Sequence, residues 1–134
     1  MTTPIERGLA EWHALATSPN PQRLAALVAE DAVFHSPVVR TPQKGRALVV
    51  AYLSAAAATL GQGQFRYERE IVQGNQAVLE FTCVLDDIDV NGVDIIAFSD
   101  DGKIRDFKVM IRPIKAVNKV WEMMAAQLAK APPS

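Results

Sequence analysis

The hydrophobic pattern changes its period once along the chain, and this change constrains the fold more than any other feature. Up to residue 60, apolar residues recur at the three- and four-residue spacing of helices. From residue 64 to residue 111 they alternate with polar residues, as in strands that bury one face. Helical spacing returns over residues 116–130. Helices followed by consecutive short strands predict an α+β domain with antiparallel strands rather than a parallel α/β sheet.

The same pattern predicts the individual elements. Four helices are expected, over residues 5–16, 21–28, 45–60 and 116–130. One short strand is expected before the third helix and four after it, over residues 32–36, 64–72, 77–85, 93–98 and 103–111. Asn91-Gly92 is read either as a hairpin turn or as a bulge inside a longer strand. Residues 38–44 are predicted to be a loop, and residues 131–134 a frayed tail.

Length and composition restrict the function classes. The 134 residues suffice for one domain, residues 1–134, with its own core, and 49% of them are hydrophobic. A net charge of −1 argues against binding to nucleic acid or to an anionic membrane. Cys83 is the single cysteine, so neither an internal disulfide nor a cysteine-based zinc site is possible. We expect no metal, no cofactor and, lacking a signal-like or membrane-spanning segment, a cytoplasmic protein.

Three stretches carry a family resemblance that covers nearly the whole chain. They are residues 24–37 (LAALVAEDAVFHSP), 45–52 (GRALVVAY) and 92–104 (GVDIIAFSDDGKI). The chain resembles the nuclear transport factor 2-like superfamily, and within it the SnoaL-like and ketosteroid-isomerase-like proteins. The resemblance implies a cone-shaped curved antiparallel sheet wrapped around N-terminal helices, with an internal apolar pocket. It also implies a homodimer formed through the outer face of the sheet.

The resemblance assigns roles to four positions. Asp94 stands where the isomerases carry a neutral carboxylic acid that binds the substrate oxygen. By gapless counting, Trp12 stands where the isomerases carry a second donor, a tyrosine. The indole N–H of Trp12 can also donate a hydrogen bond. Ser36, before Pro37, stands where they carry the carboxylate base, and a hydroxyl needs a base of its own. Val109 stands where related cyclases and epoxide hydrolases often carry a catalytic acid.

The residues themselves leave several points open. Asp94 lies in an apolar strand, where isolated burial would raise its pKa and favour a protonated donor. Alternatively it faces solvent or pairs with Arg112 or Lys108. His35 is the candidate base, directly or through Ser36, but strand alternation sends these two to opposite faces. We leave open which of them faces the pocket, and a structural role for His35 is the alternative. His13 is expected to be exposed or partly buried, without a role.

Two functions follow. The first is a cofactor-independent isomerase or cyclase that moves a proton next to a carbonyl of a small apolar substrate, with Asp94, His35 and Ser36 as catalytic residues. The residues expected to line its pocket are Trp12, Tyr52, Phe98, Phe107, Val109 and Trp121. The alternative is a ligand-binding or protein-interaction module of the same fold without catalysis, because the fold alone does not fix the activity.

Overall fold

The computed structural model of the chain describes residues 2–61 and 64–130. The helices are α1 (Pro4–Thr17), α2 (Pro21–Leu27), α3 (Arg46–Leu60) and α4 (Ile114–Lys130). The strands are β1 (Val28–His35), β2 (Gln43–Lys44), β3 (Arg66–Gln73), β4 (Gln76–Leu85), β5 (Ile88–Phe98) and β6 (Ile104–Arg112). The order of these elements confirms the predicted α+β class.

All six strands form one mostly antiparallel sheet in the order β2-β1-β6-β5-β4-β3. The last four strands run as a meander, and each of them pairs antiparallel with the next. The meander brings β6 beside β1, and these two strands pair in parallel. A strand from the first third of the chain thereby joins the second half in one sheet, and α3 packs against β1 and α4.

The two faces of the sheet differ in burial because side chains alternate along each strand. The inner face carries the core, including Phe34, Leu79, Phe81, Ile96 and Phe107, all at most 1% exposed. The outer face carries half-buried side chains, among them Val78, Glu80, Ile95 and Lys108. The inner face is the one that can hold a sheltered site, since its side chains pack in the core.

The hairpin between β4 and β5 does not turn at Asn91-Gly92. Asp86 and Asp87 form the turn, with φ of 49° and 63°, as tight turns that fit the twist of a hairpin require. Asn91 and Gly92 lie inside β5 and pair in regular register with β4, so both the turn and the bulge interpretations are wrong. Packing explains this glycine, because a Cβ there would lie 2.5 Å from the ring of Phe81.

Two predicted boundaries shift in the first half of the chain. Strand β1 begins at Val28, inside the predicted second helix, and its register against β6 shifts between Val28 and Val33. The exposed Glu30 and Asp31 in that interval hid the strand pattern from the sequence. The short strand β2 lies in the predicted loop and pairs with β1. Residues 131–134, the predicted tail, lie outside the described residues.

Helix α4 buries fewer of its apolar side chains than the sequence pattern predicts. Ala116, Val120 and Met124 are buried, whereas Trp121 is 58% exposed. The sequence places Trp121 in the pocket wall, but the structure places it at the surface, because it lies beside the buried stripe of α4. In residues 2–61 and 64–130, no helix is both long and apolar enough to cross a bilayer.

Candidate functional site

Helix α1 brings Trp12 over the inner face. The helix begins with a capping box in which Thr3 and Glu6 satisfy each other's backbone N–H groups. One turn before Trp12, Gly8 lies so close to the β5–β6 turn that a Cβ would come 2.5 Å from the carbonyl oxygen of Gly102. This close approach lets the Trp12 ring reach the inner face, where its centroid lies 5.0 Å from that of Phe107.

Trp12, Tyr67 and Asp94 form a chain of hydrogen bonds that joins α1, β3 and β5. The indole N–H of Trp12 donates to the hydroxyl oxygen of Tyr67 at 2.9 Å. The hydroxyl of Tyr67 donates in turn to Oδ2 of Asp94 at 2.7 Å. The sequence predicts a polar role for Trp12 and Asp94, and the structure links them through a third residue that the prediction missed.

Tyr67 escaped the sequence analysis because of a bulge in β3. Tyr67 lies opposite Phe81 and Arg69 lies opposite Glu80, so Glu68 is the extra residue between them. A bulge reverses the alternation, and no regular pattern across the strand then tells which side chains face inward. The one signal was chemical, since a tyrosine that lies among charged residues offers an apolar ring with a polar tip.

Burial sets the electrostatics of this chain. Asp94 is 5% exposed. Burial raises the pKa of its carboxyl to about 7, against the opposing effect of the Tyr67 hydrogen bond. Burial, followed by the negative charge of Asp94, also raises the pKa of Tyr67 above its ordinary value. Near neutral pH, Tyr67 is therefore a neutral hydroxyl, and Asp94 populates both its neutral and its charged form.

Tyr67 and Asp94 together can stabilise a substrate oxygen that becomes negatively charged during a reaction. A neutral carboxyl and a hydroxyl that meet in a sheltered place can both donate to one oxygen atom. Asp94 neither faces solvent nor pairs with Arg112, since Asp94 is buried and Arg112 donates instead to Asn91. Lys108 belongs to the outer face, as does Ile95 opposite it.

A pair formed by His13 and Glu70 lies beside this chain of hydrogen bonds. Nε2 of His13 lies 2.7 Å from Oε1 of Glu70. The His13 ring also meets the Tyr67 ring edge-on, with the centroids 5.4 Å apart. The side chain of His13 is 37% exposed, as expected for a partly buried residue. The contact with Tyr67 was not expected from the sequence.

The structure does not bring the other predicted catalytic residues to Asp94. His35 lies on the outer face, opposite Lys108, and Nε2 of its ring lies 2.9 Å from Oδ1 of Asp106. The hydroxyl of Ser36 accepts a hydrogen bond from the backbone N–H of Val38. The catalytic roles of His35 and Ser36 stay predictions, and no hydrogen bond within the described part of the chain connects either residue to Asp94.

The predicted pocket walls are mostly inner-face residues. Phe98, Phe107 and Val109 are buried there, and Val109 pairs directly with Asp94. Tyr52, on α3, meets Phe34 at a centroid distance of 5.4 Å. The sheltered aromatic interior therefore adjoins Asp94, but the role of these residues in binding a ligand stays a prediction.

Two open clefts of about 220 and 460 Å³ lie elsewhere on the molecule. The residues that line the first cleft include Arg7 and Arg23. Those that line the second include Arg46 and Arg105. None of the predicted pocket residues lines either cleft. Within the described ranges, no group of three His, Cys, Asp or Glu side chains could hold a metal ion.

Comparison with known proteins agrees with the fold. Residues 9–107 match the SnoaL-like domain. A steroid delta-isomerase structure from Pseudomonas aeruginosa is 34% identical and superposes with a TM-score of 0.90, over 96% of this chain and 94% of that one. No curated protein matches the chain.

Two further structures support the same architecture. A protein with a cystatin-like fold from Silicibacter pomeroyi is 31% identical, with a TM-score of 0.84, over 92% of this chain and 86% of that one. A nuclear transport factor 2-like protein of unknown function from Mesorhizobium loti is 23% identical, with a TM-score of 0.71, over 82% and 92% of the two chains. The chain thus has the nuclear transport factor 2-like fold and belongs to the SnoaL-like domain family.

Proposed function

We propose that the protein is a cofactor-independent enzyme that moves a proton next to a carbonyl group of a small, largely apolar substrate, as isomerases and cyclases do. The observation that carries the proposal is the hydrogen-bond chain from Trp12 through Tyr67 to the buried Asp94. The likeness to a structure named as a steroid delta-isomerase supports the same reaction class.

In this mechanism the hydrogen-bond chain holds the substrate oxygen. Removing a proton next to a carbonyl leaves negative charge on that oxygen. The hydroxyl of Tyr67 would turn from Asp94 to this oxygen, and the neutral carboxyl of Asp94 would donate to it as well, in a buried place where hydrogen bonds to a charge are strong. The indole of Trp12 donates to the Tyr67 oxygen, which orients the hydroxyl and makes it a better donor. The apolar part of the substrate would lie against Phe107 and Val109.

The proposed enzyme acts as a homodimer. The outer face of the sheet carries half-buried apolar side chains in neighbouring strands, and Ile71 and Met110 on it are 57% and 51% exposed. A second copy of the chain would cover this surface and leave the inner face free for the substrate. We propose no nucleic-acid or membrane partner, because the net charge is −1.

The test is turnover of 3-oxo-Δ5 steroids and of smaller β,γ-unsaturated ketones. Because Ser36 occupies the usual base position, we expect slow turnover of the steroids. Removing one donor in Tyr67→Phe should lower kcat by roughly 10²-fold. Asp89→Asn, an exposed change on the same strand as Asp94, should leave kcat unchanged. The proposal is contradicted if none of these ketones is turned over and if Asp94→Asn does not change their binding.

A binding module without catalysis is the second candidate. The observation that favours it is that Ser36 replaces the base and His35 lies on the face opposite Asp94. A thermal-shift screen of apolar ketones and phenols separates the two candidates. Binding that depends on Asp94, with no turnover of any bound ketone, supports the module. Turnover of a bound ketone rejects it.

A further inference from the structure

The edge of the inner face next to Tyr67 carries a second acid–base pair. Glu70 accepts a hydrogen bond from His13 Nε2 at 2.7 Å, and the His13 ring packs edge-on against Tyr67. Trp12 and His13 are neighbours on α1, and both contact Tyr67, one at its hydroxyl and the other at its ring. The pair is thus one contact away from the group proposed to hold the substrate oxygen.

The strand register places the pair on the same face as Asp94. Glu70 lies opposite Leu79, Leu79 opposite Asp94, and Asp94 opposite Val109, so these four form one row across the sheet. Leu79, Asp94 and Val109 are buried inner-face residues. Two strand spacings separate Glu70 from Asp94, roughly 10 Å. A substrate would have to reach across this span from the oxygen-binding groups to His13.

We propose that His13, held by Glu70, is the base that takes the substrate proton and returns it. This inference rests on the proposed function and adds the group that the reaction lacks. With Nε2–H donated to the carboxylate of Glu70, the other ring nitrogen, Nδ1, carries a free lone pair. Imidazole is the side chain that most often accepts and returns a proton in catalysis.

The proposed step needs no co-reactant. The C–H bond next to the carbonyl breaks, its proton forms an N–H bond at Nδ1 of His13, and the electron pair moves into an enolate. Tyr67 and Asp94 hold the enolate oxygen. The proton then returns from Nδ1 to the γ-carbon of the β,γ-unsaturated ketone, the carbonyl re-forms, and the double bond has moved into conjugation. His13 ends in the form in which it began.

The second histidine, His35, does not fit this role. It pairs with Asp106 in a similar way, but the pair lies on the outer face, away from Phe34 and Phe107. The side chain of His13 is 37% exposed and that of Glu70 42%, so small reagents can reach the pair from solution. This access makes the assignment testable by adding back a soluble base.

The test compares His13→Gln and Glu70→Gln with the matched control Glu68→Gln. Glutamine at position 13 can keep a hydrogen bond to Glu70 but cannot accept the proton, so kcat should fall at least ~10²-fold with KM nearly unchanged. Glu70 is a positioning residue, and Glu70→Gln should lower kcat less, again without changing KM. Glu68 lies on the same strand and binds Arg66 and Thr82 instead, so its variant should keep full activity.

Added imidazole should restore part of the activity of His13→Ala, because the truncated side chain leaves a solvent-accessible space beside Tyr67. A variant that has merely lost its packing would not respond to imidazole. Circular dichroism spectra of each variant check that the fold is retained.

Binding of a planar phenol that mimics the enolate separates failure of this inference from failure of the proposed function. The phenol affinity should fall in Tyr67→Phe and stay unchanged in His13→Gln. Wild-type kcat in His13→Gln, or a loss of activity in His35→Gln instead, overturns the role of His13 alone. A wild-type protein that neither binds the phenol nor turns over any ketone overturns the proposed function, and this inference with it.

Discussion

At the scale of single residues, the burial of Asp94 couples the stability of the fold to pH. Its pKa rises from 3.8 to about 7 because burial disfavours the charged carboxylate. A carboxyl whose pKa is higher in the folded state binds more protons there than in the unfolded state. Its contribution to stability is therefore fully present below pH 3.8 and is lost as the pH rises to about 7.

We expect Asp94→Asn to remove this dependence. Asparagine cannot ionise, and its carbonyl oxygen can still accept from Tyr67. Relative to the variant, the wild type should lose up to about 4 kcal/mol of unfolding free energy between pH ~4 and pH ~7, because each unit of difference between the folded and unfolded pKa is worth roughly 1.4 kcal/mol. Urea unfolding of both proteins across this range measures the difference. The exposed Asp89→Asn serves as the control, and parallel pH curves for wild type and Asp94→Asn would contradict the prediction.

Gly92 makes a second prediction at the residue scale. A Cβ at this position would lie 2.5 Å from the Phe81 ring and 2.7 Å from the carbonyl oxygen of Met110. We expect Gly92→Ala to lower the unfolding free energy by ~1–3 kcal/mol through overpacking.

A double-mutant cycle gives the control for Gly92. Phe81→Leu shortens the side chain that the new methyl group would strike, so Gly92→Ala should cost less in that background than in the wild type. Equal costs in both backgrounds, measured by denaturant unfolding, would assign the effect to the strand backbone instead.

At the scale of elements, the placement of α1 decides whether the site exists. Helix α1 carries both Trp12 and His13, and Gly8 fixes its distance from the β5–β6 turn. Residues of α1 were predicted from local pattern alone, and its start at the Thr3–Glu6 capping box agrees with that pattern. Its distance from the sheet depends on Gly102, far away in the sequence.

We expect Gly8→Ala to displace α1. In an exposed helix this change stabilises by ~1 kcal/mol, but here the methyl group would meet the Gly102 carbonyl oxygen, so stability should fall. Fluorescence of Trp12 in a Trp121→Phe background reports the displacement, since the chain has two tryptophans. The exposed Ala10→Gly should cost about 1 kcal/mol through helix propensity and leave the Trp12 signal unchanged. An unchanged Trp12 spectrum in Gly8→Ala would contradict the prediction.

At the scale of the whole molecule, the single sheet separates two surfaces that differ in burial and composition. The inner face gathers Tyr67, Glu70 and Asp94 from β3 and β5, under α1. The outer face presents a row that runs from Ile71 through Val78 and Ile95 to Lys108. Met110 lies in the next row, opposite Val93.

We expect Met110→Lys to weaken a homodimer built on the outer face. A charge in the middle of an apolar contact must lose its water or break the contact. Sedimentation velocity should show a dimer for the wild type and a shift toward monomer for the variant. Ile114→Lys, at a residue that is 76% exposed on α4, is the matched control and should leave the dimer intact. A monomeric wild type, or dissociation caused by Ile114→Lys alone, would contradict the proposal.

Local sequence pattern was enough to predict the fold class, and short motifs were enough to predict the family and two members of the hydrogen-bond chain. Periodicity is a local property, so the helices and the meander could be predicted from neighbouring residues. The family resemblance pointed to both Asp94 and Trp12, and a carboxyl within an apolar strand also made Asp94 visible in the residues themselves.

Only the tertiary structure shows which side chains meet at the site. Trp12 and Tyr67 lie 55 residues apart, and their contact depends on the approach of α1 to the sheet. The bulge at Glu68 turns Tyr67 toward Asp94, and the parallel pairing of β1 with β6 sends His35 to the other side. Contacts between residues distant in sequence depend on how whole elements pack, and no local pattern of residues encodes that packing.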